Sequence, residues 1–252
     1  MGRLTGIRRP LWSAAAVLLA CSPSSAGKKR KVVAVPDTLA PGFFDSSLVH
    51  QGKATFYKPG RGGACTLPTG DTLIAAMSRL IFAKSLLCGA CAEVSGPKGK
   101  VTVRLEDRCH SCGPDDIDLS RAAFAQLAPL GMGRAPIEWK LTECPGDTLP
   151  LLYRSPSRFP DWYSFQVRNH RLPLKALEIW QDSAWRDVPR QRHNRFVVRS
   201  LPADAWRVRL TDAWGRQVTD SIAALAPDSG VLLRTAFPAL PGASRDSLQA
   251  SR

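Results

Sequence analysis

Beyond residue 20 the sequence has no apolar stretch long enough to cross a bilayer, so no later membrane span is expected. It has no cysteine after Cys144, a sharp change of composition that marks off a second domain. It carries no nucleic-acid-binding motif, which sets nucleic acid aside as a partner even though the formal net charge is +14. Its Gly-rich segment, Lys58 to Ala64 (KPGRGGA), lacks the Gly-Lys-Ser/Thr ending of a phosphate loop and reads as a flexible rim. Between Thr55 and Cys65 there is no Asp or Glu at all.

What is present begins with an export signal over residues 1–21. Arg3, Arg8 and Arg9 form a basic start, and Leu11 to Ala20 is apolar but too short for a mature span. Leu18-Leu19-Ala20-Cys21 resembles a bacterial lipobox, which makes Cys21 the residue expected to carry lipid; ordinary cleavage nearby is the alternative. Membrane contact is expected only through that anchor. Residues 22–47, with Pro23, Pro36, Pro41 and the run Lys28-Lys29-Arg30-Lys31, read as a flexible linker. A basic exported chain points to acidic wall polymers or other anionic surfaces.

Apart from Cys21, six cysteines lie between residues 65 and 144: Cys65, Cys88, Cys91, Cys109, Cys112 and Cys144. An even count in an oxidising compartment implies three disulfides, with fifteen pairings open. Cys88-x2-Cys91 and Cys109-x2-Cys112 also match a zinc-ribbon spacing, but export favours disulfides, and neither metal nor cofactor is expected.

The stretch Val101 to Ala123 (VTVRLEDRCHSCGPDDIDLSRAA) organises the first domain, residues 48–145. Val101, Val103 and Leu105 alternate with polar residues as a half-buried strand does, and Ser120 suits the N-cap of a short helix. Between them lie Asp107, Asp115, Asp116 and Asp118. Asp115 and Asp116 read as turn formers. Asp107 and Asp118 abut regular elements that fix their direction, which makes them site candidates. His110 reads as a solvated loop residue. Gly52 to Tyr57, Leu73 to Met77 (strand or short helix), the hairpin about Gly96-Pro97-Lys98-Gly99 and Ile137 to Leu141 complete a small β-barrel. In residues 146–235, Phe165/Val167, Leu177/Ile179, Phe196 to Val198 and Trp206/Val208/Leu210 are short strands with one apolar face, the pattern of a β-sandwich. Residues 236–252 lack any period and read as a disordered tail.

GKATFY, GGAC, CGACAEV, GPKGKVTVRLEDRC, DIDLS and IEWKLTECP, followed by FQVRNHRLPLKALEI and WRVRLTDAWGRQV, resemble the two domains of bacterial expansin-like proteins over roughly residues 48–232. The resemblance implies a mainly β chain: a six-stranded double-psi β-barrel followed by an immunoglobulin-like β-sandwich that serves as a carbohydrate-binding module. It implies the pairings Cys65–Cys88, Cys91–Cys144 and Cys109–Cys112. It implies a groove lined by Thr55, Asp107 and Asp118, with Asp118 matching the aspartate on which wall loosening depends. Tyr57, at the end of the same strand, is counted with the binding residues. Trp162 matches one aromatic of a flat sugar-binding row. Asp161 falls where a second should be, with Phe159 as its substitute, and His193 replaces the third. Trp180, Trp185, Trp206 and Trp214 read as packing. Of fourteen basic residues in 147–234, thirteen are Arg, whose forks suit carboxylate or phosphate.

Hydrolysis with inversion needs an acid and a base, and the segment expected to supply the base has none. The resemblance therefore implies a secreted monomer that binds wall polysaccharide (cellulose, xyloglucan, pectin or peptidoglycan) and loosens it without cutting. A lytic transglycosylase or glycoside hydrolase acting through the groove, and an inert binding module, are the alternatives.

Overall fold

The computed structural model describes residues 2, 39, 42–45, 47–68, 72–146 and 149–239. Cys21, the rest of the segment read as an export signal apart from Gly2, and residues 240–252 lie outside them. Among the described residues no helix is long and apolar enough to cross a membrane.

Six strands close a barrel in the order β1-β5-β2-β4-β3-β6. They are β1 (His50–Tyr57), β2 (Ile74–Ser78), β3 (Cys91–Gly96), β4 (Gly99–Cys109), β5 (Ile117–Ser120) and β6 (Ala135–Thr142). The β1–β5 and β2–β4 pairs are parallel and the other four antiparallel. This is the double-psi β-barrel. The alternation in Val101 to Leu105 turns one face inward, and Val103 and Leu105 are almost wholly buried. The strand runs on to Cys109, four residues beyond that alternation. The ambiguous segment at Leu73 is strand β2, buried at every position.

Helix α1 (Arg121–Leu127) starts where Ser120 Oγ accepts the Ala123 N–H at 3.2 Å. Its buried face, Ala123, Phe124 and Leu127, plugs the barrel, with Phe124 against Phe56 at 4.9 Å. Disulfides join Cys65 to Cys88, Cys91 to Cys144 and Cys109 to Cys112. Both CxxC pairs are thereby consumed in bridges, which leaves no thiolate set for a zinc ribbon.

The second module packs two four-stranded sheets, β10-β9-β12-β13 and β11-β8-β7-β14. Its strands are β7 (Leu151–Ser155), β8 (Trp162–Arg168), β9 (Leu174–Gln181), β10 (Ala184–Asp187), β11 (Phe196–Arg199), β12 (Ala205–Asp212), β13 (Gln217–Ala223) and β14 (Ser229–Leu232). Leu152, Phe165, Val167 and Phe196 from one sheet share a core with Leu177, Ile179, Trp206 and Leu210 from the other.

Two limits read from the sequence move. Residues 22–47 are not linker throughout: Phe43 is buried in the barrel core against Trp139 and His50, and Phe44 meets Trp214 of the sandwich at 6.1 Å. The tail does not begin at residue 236. Phe237 is buried in the sandwich core, and Arg216 donates to the carbonyls of Pro238 and Ala239.

Backbone oxygens of the barrel accept from the sandwich. Gln166 Nε2 donates to Cys65 O at 3.1 Å and Arg190 Nη1 to Ser85 O at 2.7 Å, while His170 Nε2 lies 3.1 Å from Cys88 O. In return Thr66 Oγ1 donates to His193 O at 3.0 Å. Disulfide Cys65–Cys88 ties two of the accepting residues together.

Candidate functional site

Strand register aligns the residues expected to line a groove. Thr55 on β1 stands opposite Asp118 on β5, Asp118 opposite Ala76 on β2, and Ala76 opposite Asp107 on β4. One row across four adjacent strands therefore carries a hydroxyl, a carboxyl, a small spacer and a second carboxyl. Thr55 Oγ1 donates to Asp118 Oδ1 at 2.7 Å. Burial raises the Asp118 carboxyl above its ordinary value; the Thr55 hydrogen bond lowers it, and the nearby Asp107 charge raises it further.

Asp107 has a different task. Its Oδ1 accepts the N–H of Ala64 at 2.7 Å and of Arg108 at 2.8 Å, which fastens the Gly-rich rim over β4. The rim needs glycine there: Gly63 has φ +46°, and a Cβ would fall 2.5 Å from Glu106 O. Tyr57, two residues beyond Thr55, has a buried hydroxyl with no protein partner. Burial, with Asp107, Asp118 and Glu106 nearby, pushes its ionisation upward, so it stays a neutral donor. The row thus gathers a phenol, a hydroxyl and a carboxyl that holds its proton more tightly than usual.

The other acidic residues of the loop are structural. Asp115 Oδ1 lies 2.9 Å from His50 Nδ1, and its carbonyl accepts from Trp139 Nε1. Asp116 takes the Lys53 N–H at 2.8 Å and the Gly113 N–H at 3.2 Å. His110 is exposed and accepts from Arg108 Nε.

On the sandwich, Phe159 and Trp162 are neighbours, with ring centroids 5.8 Å apart and planes tilted by 42°. Phe159 is 53% exposed, the most open aromatic ring among the described residues. His193 is exposed at the module junction, and burial and Arg195 hold its ring below the usual histidine range. Asp161 is exposed beside Trp162. Trp206 is core, while Trp180 and Trp185 pack edge to face on the far sheet. The sequence reading missed Tyr153, Arg168, Arg195 and Arg199, which share the outer face with Trp162. Alternation along β7 and β8 is the signal that carries the first two.

Fold and residue row together define a two-module β protein: a double-psi barrel that carries two carboxyls on one row of adjacent strands, joined to a β-sandwich that bears exposed aromatics. A family model described as lytic transglycolase matches residues 49–139. The expansin YoaJ of Bacillus subtilis is 33% identical over 191 residues, covering 72% of this chain and 81% of that protein. Expansin-like protein 2 of Dictyostelium discoideum is 25% identical over 210 residues, but the match spans only 51% of its length. The crystal structure of Clavibacter michiganensis expansin superposes with a TM-score of 0.71 at 26% identity, over 77% of this chain and all of that one. A point-substituted form of that expansin, solved in complex with cellohexaose, superposes equally well. The chain belongs to the expansin family.

Proposed function

We propose that this is an exported expansin-like protein that binds cell-wall polysaccharide and loosens it without hydrolysis. The observation that carries the reading is the continuity of groove and sheet face through one loop. Ala64 is held by Asp107 in the groove, while the carbonyls of Cys65 and Thr66 accept from Gln166 on the outer face of β8. A glycan lying along the barrel would thus run onto Trp162 and Phe159. The cellohexaose complex of the Clavibacter relative supports a glycan as ligand. Aromatic rings cover the apolar face of a sugar while its hydroxyls stay wet.

In this reading Asp118 grips and strains a bound chain by hydrogen bonding, with Thr55 and Tyr57 beside it. Cutting by inversion requires a second carboxylate free to activate water. Residues 55–65 offer none, and Asp107 Oδ1 is filled by two backbone amides. A lytic transglycosylase is the second reading. The matching family model favours it, and such an enzyme needs an acid like Asp118 but no water-activating base. The test is paired: the full chain is incubated with cellulose, plant wall and peptidoglycan, and both pelleted protein and released sugar are measured. Binding and wall creep without release, with creep lost in Asp118→Ala, is the expected result. Anhydro-sugar muropeptides released from sacculi would make it a transglycosylase. Unchanged creep in Asp118→Ala would reduce it to a binding module.

A further inference from the structure

Of the three bridges among the described residues, one differs in kind. Cys65–Cys88 and Cys91–Cys144 join residues 23 and 53 apart in the chain, and all four cysteines are at most 4% exposed. Both stand where the sandwich docks: Cys65 O accepts from Gln166 Nε2, and Cys144 N donates to Arg171 O at 2.9 Å. Cys109 and Cys112 are only three residues apart, at the one connection from β4 to β5. Closing so short a loop removes little chain entropy, so this bridge holds the fold least. Other contacts already shape the connection. Arg79 N donates to Cys109 O at 3.0 Å, Ser78 Oγ to Cys112 O at 3.1 Å, and Asp116 N to Gly113 O at 3.3 Å. Gly113 N donates back to Asp116 Oδ2 at 3.2 Å. None of these bonds passes through sulfur, so one turn fits both the disulfide and the free dithiol.

The same turn suits attack by an outside thiolate. His110 and Ser111, between the two cysteines, are exposed; Cys112 is half-buried, whereas Cys109 is 7% exposed. Access therefore favours Cys112 Sγ as the sulfur attacked, with Cys109 as the leaving group. Donors already surround the leaving sulfur. The Cys112 N–H points at Cys109 Sγ, with N and S 3.1 Å apart, and Ser111 Oγ lies 3.7 Å away. Arg108 adds a cation to the turn, where its Nε donates to His110 Nε2 at 3.1 Å. The carboxylates nearest in sequence are turned to backbone amides: Asp107 takes those of Ala64 and Arg108, and Asp116 those of Lys53 and Gly113. Amide and hydroxyl donors beside a cation stabilise a departing thiolate.

We propose that Cys109–Cys112 is a thiol–disulfide exchange site whose substrate is an external dithiol, a second activity of the barrel apart from its groove. One thiolate of the dithiol attacks Cys112 Sγ. The Cys109–Cys112 bond breaks, a mixed disulfide forms on Cys112, and Cys109 leaves as the thiolate. The second thiol of the dithiol loses its proton and attacks its partner sulfur in the mixed disulfide, which expels Cys112. The dithiol gives up two electrons and two protons and becomes a disulfide; the two cysteines take them up and become thiols. Run in reverse against an external disulfide, the same steps restore the bridge. The other two bridges stay closed throughout, because their sulfurs are buried and join distant segments.

The test uses the full chain with Cys21→Ser, which leaves the six cysteines of the bridges. It is equilibrated at neutral pH with mixtures of reduced and oxidised dithiothreitol, quenched with iodoacetamide and read by peptide mass spectrometry, with circular dichroism on the same samples. Cys109–Cys112 is expected to be half reduced at a ratio of reduced to oxidised reagent at least tenfold lower than either other bridge requires, with the folded spectrum unchanged. Two further variants locate the attacked sulfur. With Cys109→Ser, Cys112 is expected to react with an aromatic disulfide reagent at least tenfold faster than Cys109 does with Cys112→Ser. Reduction of all three bridges together, reduction of Cys109–Cys112 last, or loss of the folded spectrum when it alone opens would overturn the inference. Equal reactivity of the two single thiols would overturn it as well. No readout depends on polysaccharide, so each outcome leaves the proposed function as it stands.

Discussion

Asp118 is under two opposed influences, and they make it testable by itself. Burial favours its neutral form, while the Thr55 hydroxyl favours the carboxylate. Because its proton is held more tightly in the fold than in the unfolded chain, ionised Asp118 costs stability at neutral pH. That cost disappears below the unfolded value near 3.8. Asp118→Asn keeps an acceptor for Thr55 and removes the charge. The variant is expected to be more stable than the parent at pH 7, by roughly 0.5 kcal/mol or less because a half-exposed group is screened by solvent, and to match it near pH 3. Urea titrations at the two pH values read the difference. Wall creep is expected to be lost in the same variant, which separates the residue's work from its contribution to stability.

Whole elements were legible in the sequence wherever a local period existed. The alternation of Val101, Val103 and Leu105 and of Trp206, Val208 and Leu210 marks β4 and β12, and Ser120 marks the start of α1. The row Thr55–Asp118–Ala76–Asp107 was not legible from period, because it depends on which strands lie side by side; Asp107 and Asp118 stood out as carboxylates abutting regular elements, and only the family resemblance added Thr55 and grouped the three. The same holds for Arg195 and Arg199, whose face is set by pairing with β8. Phe43 left no local signal, since two adjacent aromatics, Phe43 and Phe44, in a proline-containing polar segment make no period, and its partners Trp139 and His50 lie further along the chain. Phe43→Ala is expected to destabilise the barrel by about 3 kcal/mol, as for other buried aromatic truncations, seen as a lower urea midpoint. A barrel starting at residue 48, the limit read from sequence, is expected to show the same loss.

Across the whole molecule the two modules are joined by buried polar groups as well as by a linker. His170 is the pH-sensitive one. Burial depresses its imidazole to about 4, against the opposing pull of the Leu172 and Cys88 carbonyls. A histidine held neutral in the fold contributes fully above its unfolded value of 6.5 and loses that contribution as the pH falls towards 4. Acidification from pH 7 to about 4.5 is therefore expected to cost on the order of 2–3 kcal/mol, and His170→Gln is expected to flatten the dependence. Calorimetry reads it: one transition for the parent at pH 7, separating into two as the junction weakens. The turn between β12 and β13 bears on a different matter. Trp214 on that turn receives Phe44, just ahead of the barrel, and Arg216 on the same turn holds Pro238 and Ala239, just after the sandwich. Segments on either side of the two modules thus meet the same turn. Joining them there and reopening the chain at an exposed hairpin such as Pro97-Lys98 is a circular permutation expected to leave both modules and the loop between them intact.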